Sequence, residues 1–157
     1  MSDTSTVSRR QFCTGACQAA GCATLATLFS ACGGGESSPT SPSGASALDR
    51  VAGRFANSRV QVTIAGSPLA NVGGAALVES PAGIFLLSRT SDSAFSAVEA
   101  VCTHEGCTVS GADGSVYVCP CHGSRYSRTG QVLAGPARAS LRQYNTTVAD
   151  GVVTIAV

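Results

Sequence analysis

The sequence predicts an all-β domain over residues 48–157, arranged as an antiparallel sandwich or a small barrel. Short runs of alternating polar and apolar residues are separated by turn sequences, and no long helical period follows residue 32. Short strands at this spacing favour packed antiparallel sheets. A domain of about 110 residues is long enough to bury a hydrophobic core of its own.

The predicted strands follow one another along the domain, and each is bounded by a turn sequence or by a cysteine-containing motif. Two pairs are predicted hairpins, one around Ser80–Gly83 and one around Asp150–Gly151. The segment from Leu48 to Ala56 is predicted to form a short helical turn. The predicted strands are Arg59–Ile64, Ala75–Glu79, Ile84–Arg89, Phe95–Val101, Ser115–Val118, Leu141–Val148 and Val152–Val157.

Two motifs rich in cysteine and histidine follow two of these strands: CTHEGC at residues 102–107 and CPCHGSRY at residues 119–126. Each supplies one cysteine and one histidine, at C-x-H or C-x2-H spacing, and one further cysteine. Two thiolates and two imidazoles can hold a [2Fe–2S] cluster whose two irons have different ligands, and the remaining two cysteines can be bridged. We therefore predict that one iron is held by Cys102 and Cys119, and the other by His104 and His122.

This ligand set predicts electron transfer at high potential. Neutral imidazoles in place of two thiolates remove about two negative charges from the cluster, so adding an electron is less unfavourable. Such centres have potentials of about −150 to +300 mV, against about −400 mV for plant-type ferredoxins. The second ring nitrogen of each histidine can hold or release a proton, so reduction is expected to couple to protonation at alkaline pH.

The two motifs resemble those of Rieske iron–sulfur proteins, specifically the disulfide-containing group found in cytochrome bc-type complexes and in the small subunit of arsenite oxidase. The resemblance covers about residues 58–157 and implies a Rieske-type sandwich with two cluster-binding loops. It implies a disulfide between Cys107 and Cys121 that joins these loops. Gly135 and Pro136 resemble the proline loop that covers the cluster in this family.

The resemblance also assigns roles to two hydrogen-bond donors. Ser124 matches the serine that hydrogen-bonds a bridging sulfide, and Tyr126 matches the tyrosine whose hydroxyl reaches a ligand cysteine. Both donors would spread negative charge off the cluster and raise its potential. A Cys2His2 set also suits tetrahedral zinc. Zinc would leave the Cys107/Cys121 pair and the Ser124 and Tyr126 donors unexplained. A secreted domain with disulfides alone and incidental histidines is the other alternative.

One residue departs from the pattern of cytochrome bc-type members. Those proteins usually carry leucine between the first histidine and the glycine, where it shields the cluster and faces the quinone pocket, whereas this chain has Glu105. A carboxylate beside the histidine ligands is expected to lower the potential and to suit an apolar docking surface poorly. Membership of a conventional quinol-oxidising complex is therefore less strongly indicated than the cluster itself.

Residues 1–32 are predicted to be a twin-arginine export signal. Arg9 and Arg10 precede a modestly apolar run that ends near Ala31, and this route exports folded proteins, as a cluster inserted in the cytoplasm requires. Cys32 lies in a lipobox-like sequence and is a predicted lipidation site. An uncleaved membrane anchor is the alternative. The predicted location is the periplasmic or outer face of the membrane, where a disulfide would persist.

Residues 33–47 are predicted to be a flexible linker, because this Gly-, Ser- and Pro-rich segment has almost no large apolar residue to bury. The formal net charge of +1 and the absence of lysine give no support to nucleic-acid binding. Arg125, Arg128 and Arg138 lie near the second motif and the proline loop. They could form a local positive patch, although solvated loop arginines are the simpler interpretation.

The leading functional prediction is an exported, membrane-tethered carrier of single electrons in a respiratory chain. It would accept from quinol or a quinol-oxidising complex and give to a cytochrome. The alternative is a small electron-transfer subunit of a periplasmic oxidoreductase resembling arsenite oxidase, with catalysis in a partner chain. A ferredoxin-like donor to an oxygenase is less favoured, because such ferredoxins lack the extra cysteine pair and the export signal. No set of side chains suggests a stand-alone catalyst.

Overall fold

The structure of the protein is a computed structural model that describes residues 44–157. The predicted export signal, Cys32 and most of the predicted linker lie outside these residues. Within them the chain forms strands and one short 3-10 helix, Pro68–Ala70. The strands are β1 Ser46–Ala47, β2 Arg50–Ala52, β3 Arg54–Ala56, β4 Arg59–Thr63, β5 Ala75–Ser80, β6 Gly83–Arg89, β7 Phe95–Glu99, β8 Gly111–Asp113, β9 Val116–Val118, β10 Arg125–Tyr126, β11 Val132–Ala134, β12 Gln143–Tyr144, β13 Thr146–Ala149 and β14 Val152–Ala156.

The strands form three sheets, and the all-β, mainly antiparallel prediction is confirmed. The sheet with order β12-β7-β6-β5-β2 supplies side chains to two separate hydrophobic cores, so it is the middle layer. One core is shared with the sheet β13-β14-β4-β3, and the other with the sheet β1-β8-β9-β10-β11. Burial on both faces explains why β5 and β6 carry nearly continuous apolar runs.

Alternate residues of the middle sheet point to opposite cores, as strand geometry requires. Leu77, Leu86 and Val98 pack in the core that also contains the motif cysteines. Phe85 and Leu87 pack on the other side. The core beneath the motifs is therefore anchored to the most buried strands of the protein.

The prediction of a helical turn over Leu48–Ala56 is wrong. The segment forms β2, which pairs in parallel with β5, and β3, which pairs with β4. Gly53 separates the two strands, and its N–H donates to the carbonyl of Glu79 at 2.8 Å. A Cβ at this position would lie 2.6 Å from a methyl group of Val60, so the close approach requires glycine. Sheet pairing overrides the weak local preference for helix.

Two predicted boundaries differ from the structure. The segment predicted as one strand from Leu141 to Val148 contains β12 and β13, which belong to different sheets. Strand β1 lies inside the segment predicted as linker, where it pairs with β8 through Ser46 and Ala47. A two-residue strand of small residues has no periodicity that a sequence pattern could reveal.

The two motifs follow strands of two different sheets. The first motif follows β7, and an isolated bridge between Val101 and Thr108 closes its base. The second motif comprises the loop of the β9–β10 hairpin and β10 itself. The proline loop follows β11, which pairs with β10. Within residues 44–157, no helix is both long enough and apolar enough to cross a membrane.

Candidate metal centre

The first motif forms a loop that is closed by two backbone hydrogen bonds. The N–H of Cys102 donates to the carbonyl of Cys107 at 2.8 Å, and the N–H of Gly106 donates to the carbonyl of Cys102 at 2.9 Å. Gly106 has φ of 75°. A side chain in this left-handed region costs about 1–2 kcal/mol, so glycine suits the turn.

The second motif repeats this frame. The N–H of Cys119 donates to the carbonyl of Ser124 at 2.8 Å, and the N–H of Gly123 donates to the carbonyl of Cys119 at 3.0 Å. Gly123 has φ of 74°. The two loops therefore have the same six-residue geometry, with a buried cysteine at the first position and a left-handed glycine at the fifth.

The sequence spacing differs between the loops because different positions of one frame carry the functional side chains. Histidine stands third in the first loop, as His104, and fourth in the second, as His122. Cys107 ends the first loop and Cys121 is third in the second. Their sulfurs are bonded at 2.09 Å, with Cα atoms 6.6 Å apart, so the loops are joined as the resemblance implies.

The two predicted thiolate ligands lie beneath the loops. Cys102 and Cys119 are 3% and 1% exposed, and neither forms a disulfide. Both belong to the core that contains Leu86 and Val98. Burial keeps water away from the two sulfurs, which favours a bound group that lies partly within the protein.

The two predicted histidine ligands lie above, at the surface. The ring centroids of His104 and His122 are 5.0 Å apart, with an angle of 89° between the planes. Their side chains are 27% and 47% exposed. Within residues 44–157, the Nδ1 atom of His104 is buried and has no hydrogen-bond partner. A buried nitrogen without a partner is costly unless it binds something, as a metal ligand does.

Tyr126 connects the first loop to the core. Its hydroxyl lies 3.2 Å from Cys102 Sγ and 3.1 Å from Thr103 Oγ1, and it accepts from the Thr103 N–H at 3.3 Å. The Thr103 hydroxyl donates to the carbonyl of Ala139 at 2.6 Å. Because the Thr103 proton is used there, the single Tyr126 proton has two acceptors within reach, the Cys102 sulfur and Thr103 Oγ1. The contact with Cys102 is the one that the resemblance predicts for Tyr126.

These contacts set the pKa values of the thiols in opposite directions. Burial alone would raise the pKa of Cys102, but hydrogen bonds from the Tyr126 side chain and the His104 backbone outweigh it and lower the pKa overall. Burial raises the pKa of Cys119, and the neighbouring Cys102 adds to the effect. Burial and the hydrogen bond to Cys102 raise the pKa of Tyr126. The contact therefore favours the protonated form of the Tyr126 hydroxyl and the thiolate form of Cys102.

Ser124 connects the second loop to the proline loop. Its side chain is fully buried, and its Oγ accepts the Ala137 N–H at 3.0 Å. Its hydroxyl proton remains free to donate toward the cluster side, where it contributes to the lowered pKa of Cys102. Gly135 and Pro136 are exposed and directly precede the buried Ala137. The predicted role of Ser124 toward a bridging sulfide stays a prediction.

The arrangement suits a group that takes both sulfur and nitrogen ligands. The same two loops supply two buried thiols and two neighbouring, more exposed imidazoles. The buried Nδ1 of His104 has no protein partner and is thus available to a metal, and the Cys102 sulfur is in contact with the Tyr126 hydroxyl. The donor set therefore fits a [2Fe–2S] cluster held by Cys102, His104, Cys119 and His122.

Sequence reasoning missed the contribution of Thr103. This threonine connects the first loop to Tyr126 through its N–H and to the backbone carbonyl of Ala139 through its hydroxyl. Its position between a predicted cysteine ligand and a predicted histidine ligand was the available signal. Its partner Ala139 carries no side-chain signal, because it contributes only a backbone carbonyl.

Comparisons with known proteins agree with this geometry. The family model for the Rieske [2Fe-2S] domain matches residues 55–145. The cytochrome b6-f complex iron-sulfur subunit of Chlorobaculum thiosulfatiphilum is 46% identical over 56 residues, covering 35% of this chain and 31% of that protein. Cytochrome b6-f complex iron-sulfur subunit 1 of the Cyanophora paradoxa cyanelle is 52% identical over 58 residues, covering 36% and 24%. The chain thus spans about a third or less of the length of these curated relatives.

One solved structure supports the fold alone. Naphthalene 1,2-dioxygenase aligns with a TM-score of 0.51 at 17% identity, over 63% of this chain and 26% of that chain. Identity at this level carries over the architecture and not the activity.

Proposed function

Because the chain belongs to the Rieske [2Fe-2S] domain family, we propose that it is an exported, membrane-tethered protein that carries single electrons in a respiratory chain. Its homology to cytochrome b6-f iron-sulfur subunits implies electron transfer. The observation that carries the proposal is the pair of matching loops, joined by the Cys107–Cys121 disulfide, with two buried thiols beneath two exposed imidazoles. The donor is proposed to be quinol or a quinol-oxidising complex, and the acceptor a cytochrome.

The chain binds a [2Fe–2S] cluster, since it carries the family's domain and its two disulfide-joined loops supply both cysteine and histidine side chains. We assign Cys102 and Cys119 as the ligands of one iron, and His104 and His122 as those of the other. When bound, the cluster supplies reversible one-electron chemistry at a potential raised by the imidazole ligands. Family membership favours this cofactor over zinc, which the donor types alone would also accept.

The protein's own residues make the site suitable for exchange at a surface. The buried sulfurs of Cys102 and Cys119 are shielded from water. The exposed edges of His104 and His122 allow a partner to approach closely. The hydrogen bonds that join Thr103 to Tyr126 and Ala139 hold the first loop and the proline loop in fixed positions, so little reorganisation is needed on electron exchange.

The ligand assignment is tested by metal analysis and spectroscopy of the purified protein. We expect iron and acid-labile sulfide in equal amounts, and a dithionite-reduced paramagnetic spectrum typical of mixed sulfur and nitrogen ligation. His104→Cys should alter the spectrum, and Thr108→Val, which changes an exposed residue just outside the loop, should not. Zinc without sulfide, or an all-thiolate spectrum, would refute the assignment.

Export and tethering are supported by the sequence alone. The twin-arginine pattern at Arg9 and Arg10, the lipobox-like sequence before Cys32 and the linker at 33–47 are consistent with a head held at the outer membrane face. Mass spectrometry of the membrane fraction distinguishes acylated Cys32 from an uncleaved anchor. Quinol-dependent reduction of the protein in isolated membranes tests the proposed donor, and a head that quinol cannot reduce there would exclude it.

A second candidate is a small electron-transfer subunit of a periplasmic oxidoreductase resembling arsenite oxidase. Glu105 favours it, because this carboxylate is exposed beside the two histidines and its water would be costly to remove against an apolar quinol pocket. Co-purification separates the candidates: a b-type cytochrome supports the respiratory role, and a molybdopterin-containing chain supports the second.

A further inference from the structure

The two loops expose the edges of His104 and His122 at one end of the domain, which we call the cluster end. This end carries one carboxylate, Glu105, beside the two imidazoles. Glu105 Oε1 lies 3.9 Å from His104 Nε2, and its Oε2 lies 3.6 Å from His122 Nδ1. The Glu105 side chain is 61% exposed. Any partner that approaches the exposed histidine edges must therefore meet this carboxylate.

Within residues 44–157, no guanidinium forms an ion pair with Glu105. Arg125 pairs with Asp113 at 2.6 Å, and Arg128 is held over the Tyr117 ring, 4.5 Å from its centroid. Arg138 is exposed on the proline loop, between two residues that contact the cluster loops. The cluster end thus carries charges of both signs, but only the Glu105 carboxylate is shown next to the imidazoles of His104 and His122 within residues 44–157.

Two energetic consequences follow from this position. An apolar partner pocket would have to strip water from the carboxylate without replacing its hydrogen bonds, which is unfavourable. A partner cation would instead replace that water with an ion pair, and at an exposed site this favours the rate of encounter more than the final affinity. With a chain of formal net charge +1, no strong overall field competes with this local charge.

We propose that the partner surface that receives the cluster end presents a cationic side chain to Glu105, so that recognition is electrostatic at this point. This inference rests on the proposed electron-carrier function and specifies the chemistry of its partner. For family members that carry leucine at this position, an apolar contact with the partner is implied. In this chain an ion pair would take the place of that contact.

The test uses the purified, full-length, cluster-loaded protein in its reduced state, mixed by stopped flow with small oxidants of opposite charge. Tris(phenanthroline)cobalt(III) is a trication and hexacyanoferrate(III) is a trianion. Each removes one electron per protein, giving Co(II) or Fe(II). Rate constants are measured over ionic strengths from about 10 mM to about 500 mM, where the screening length falls from about 30 Å to a few ångströms.

The matched variants are Glu105→Gln and Asp92→Asn, which remove the same charge. Asp92 is exposed in the turn before β7, whereas the first motif follows the other end of this strand, about 20 Å away. Midpoint potentials of all variants are measured by redox titration, so that changes in driving force are separated from changes in encounter.

We expect Glu105→Gln to slow the reaction with the trication by about tenfold at low ionic strength and to accelerate the reaction with the trianion. Both differences should vanish at high ionic strength once driving force is taken into account, and Asp92→Asn should behave as wild type. Glu105→Gln should also raise the midpoint potential, a result that does not depend on any reaction rate.

Three outcomes overturn the inference. Equal effects of the two substitutions would show that Glu105 has no special position. A wild-type protein that attracts the trianion instead would assign recognition to Arg138. A loaded protein that exchanges electrons with neither oxidant would refute the electron-carrier function itself, a result distinct from the other two.

Discussion

The hydroxyl of Tyr126 lies 3.2 Å from the Sγ of Cys102, so a buried hydroxyl directly contacts the buried sulfur of a proposed ligand. Thr103 holds this donor in place, because its N–H and its hydroxyl oxygen both contact the Tyr126 oxygen. A hydrogen bond to a charged group is worth about 1.5–3 kcal/mol. We therefore expect the contact to influence the redox potential of the site as well as its stability.

Tyr126→Phe should lower the midpoint potential by about 50 mV, because the reduced cluster loses a donor that stabilises its additional negative charge. Redox titration followed by visible absorbance measures this shift. Tyr144→Phe removes a hydroxyl from a residue that packs in the other core, against Phe85, and should leave the potential unchanged. An equal shift in both variants would contradict the role of the Cys102 contact.

Thr103→Val should loosen the contact between the first loop and the proline loop. It removes the hydroxyl that donates to Ala139, at an expected cost of about 1–2 kcal/mol. Loss of cluster colour during heating should begin at a lower temperature, and the potential should fall as Tyr126 loses a fixed position. Thr147→Val on the exposed face of β13 is the control. An unchanged thermal profile for Thr103→Val would show that this bridge is dispensable.

Removal of the Cys107–Cys121 disulfide should destabilise the cluster loops. The two cysteines are 14 residues apart, and closing a loop of that size stabilises a protein by about 3 kcal/mol. The double variant Cys107→Ser/Cys121→Ser should unfold and lose its cluster at lower temperature. A phosphine reductant should reproduce this effect in the wild type and have none in the double variant. A wild type that is insensitive to complete reduction of the disulfide would refute the prediction.

Glu105→Leu should raise the midpoint potential by roughly 30–100 mV, because a negative charge near the imidazoles opposes the arrival of an electron. The potential is measured at several ionic strengths, and the difference from wild type should shrink as salt screens the exposed carboxylate. Asp150→Asn, in the turn between β13 and β14, serves as the charge control. A lower or unchanged potential in Glu105→Leu would remove the electrostatic argument.

The sequence alone was sufficient to identify the side chains that offer sulfur and nitrogen donors. The spacing of Cys102 and His104, and of Cys119 and His122, specified a set of sulfur and nitrogen donors before any fold was known. Such ligands are recognisable because few residue types bind metals, and their spacing is short and local. The hairpins around Ser80–Gly83 and Asp150–Gly151 were likewise predicted, because turn chemistry is local as well.

Features that depend on contacts between distant segments were not predictable. The sequence predicts a short helical turn around Gly53, since the pairing of this segment with β4 and β5 cannot be seen in nine residues of sequence. The role of Thr103 depends on Ala139, 36 residues away, and that partner contributes only a backbone carbonyl. Backbone groups are the same in every residue, so no sequence pattern marks them.

The sequence by itself determined which atoms can bind the cluster and that the domain is built from strands, because residue chemistry and short-range periodicity are written along the chain. The tertiary structure decided that the two motifs share one loop geometry and that Tyr126 reaches Cys102. It also decided that Glu105 stands exposed beside both imidazoles. These relationships arise only when β7 and the β9–β10 hairpin pack over a common core, since packing brings together residues that the chain keeps apart.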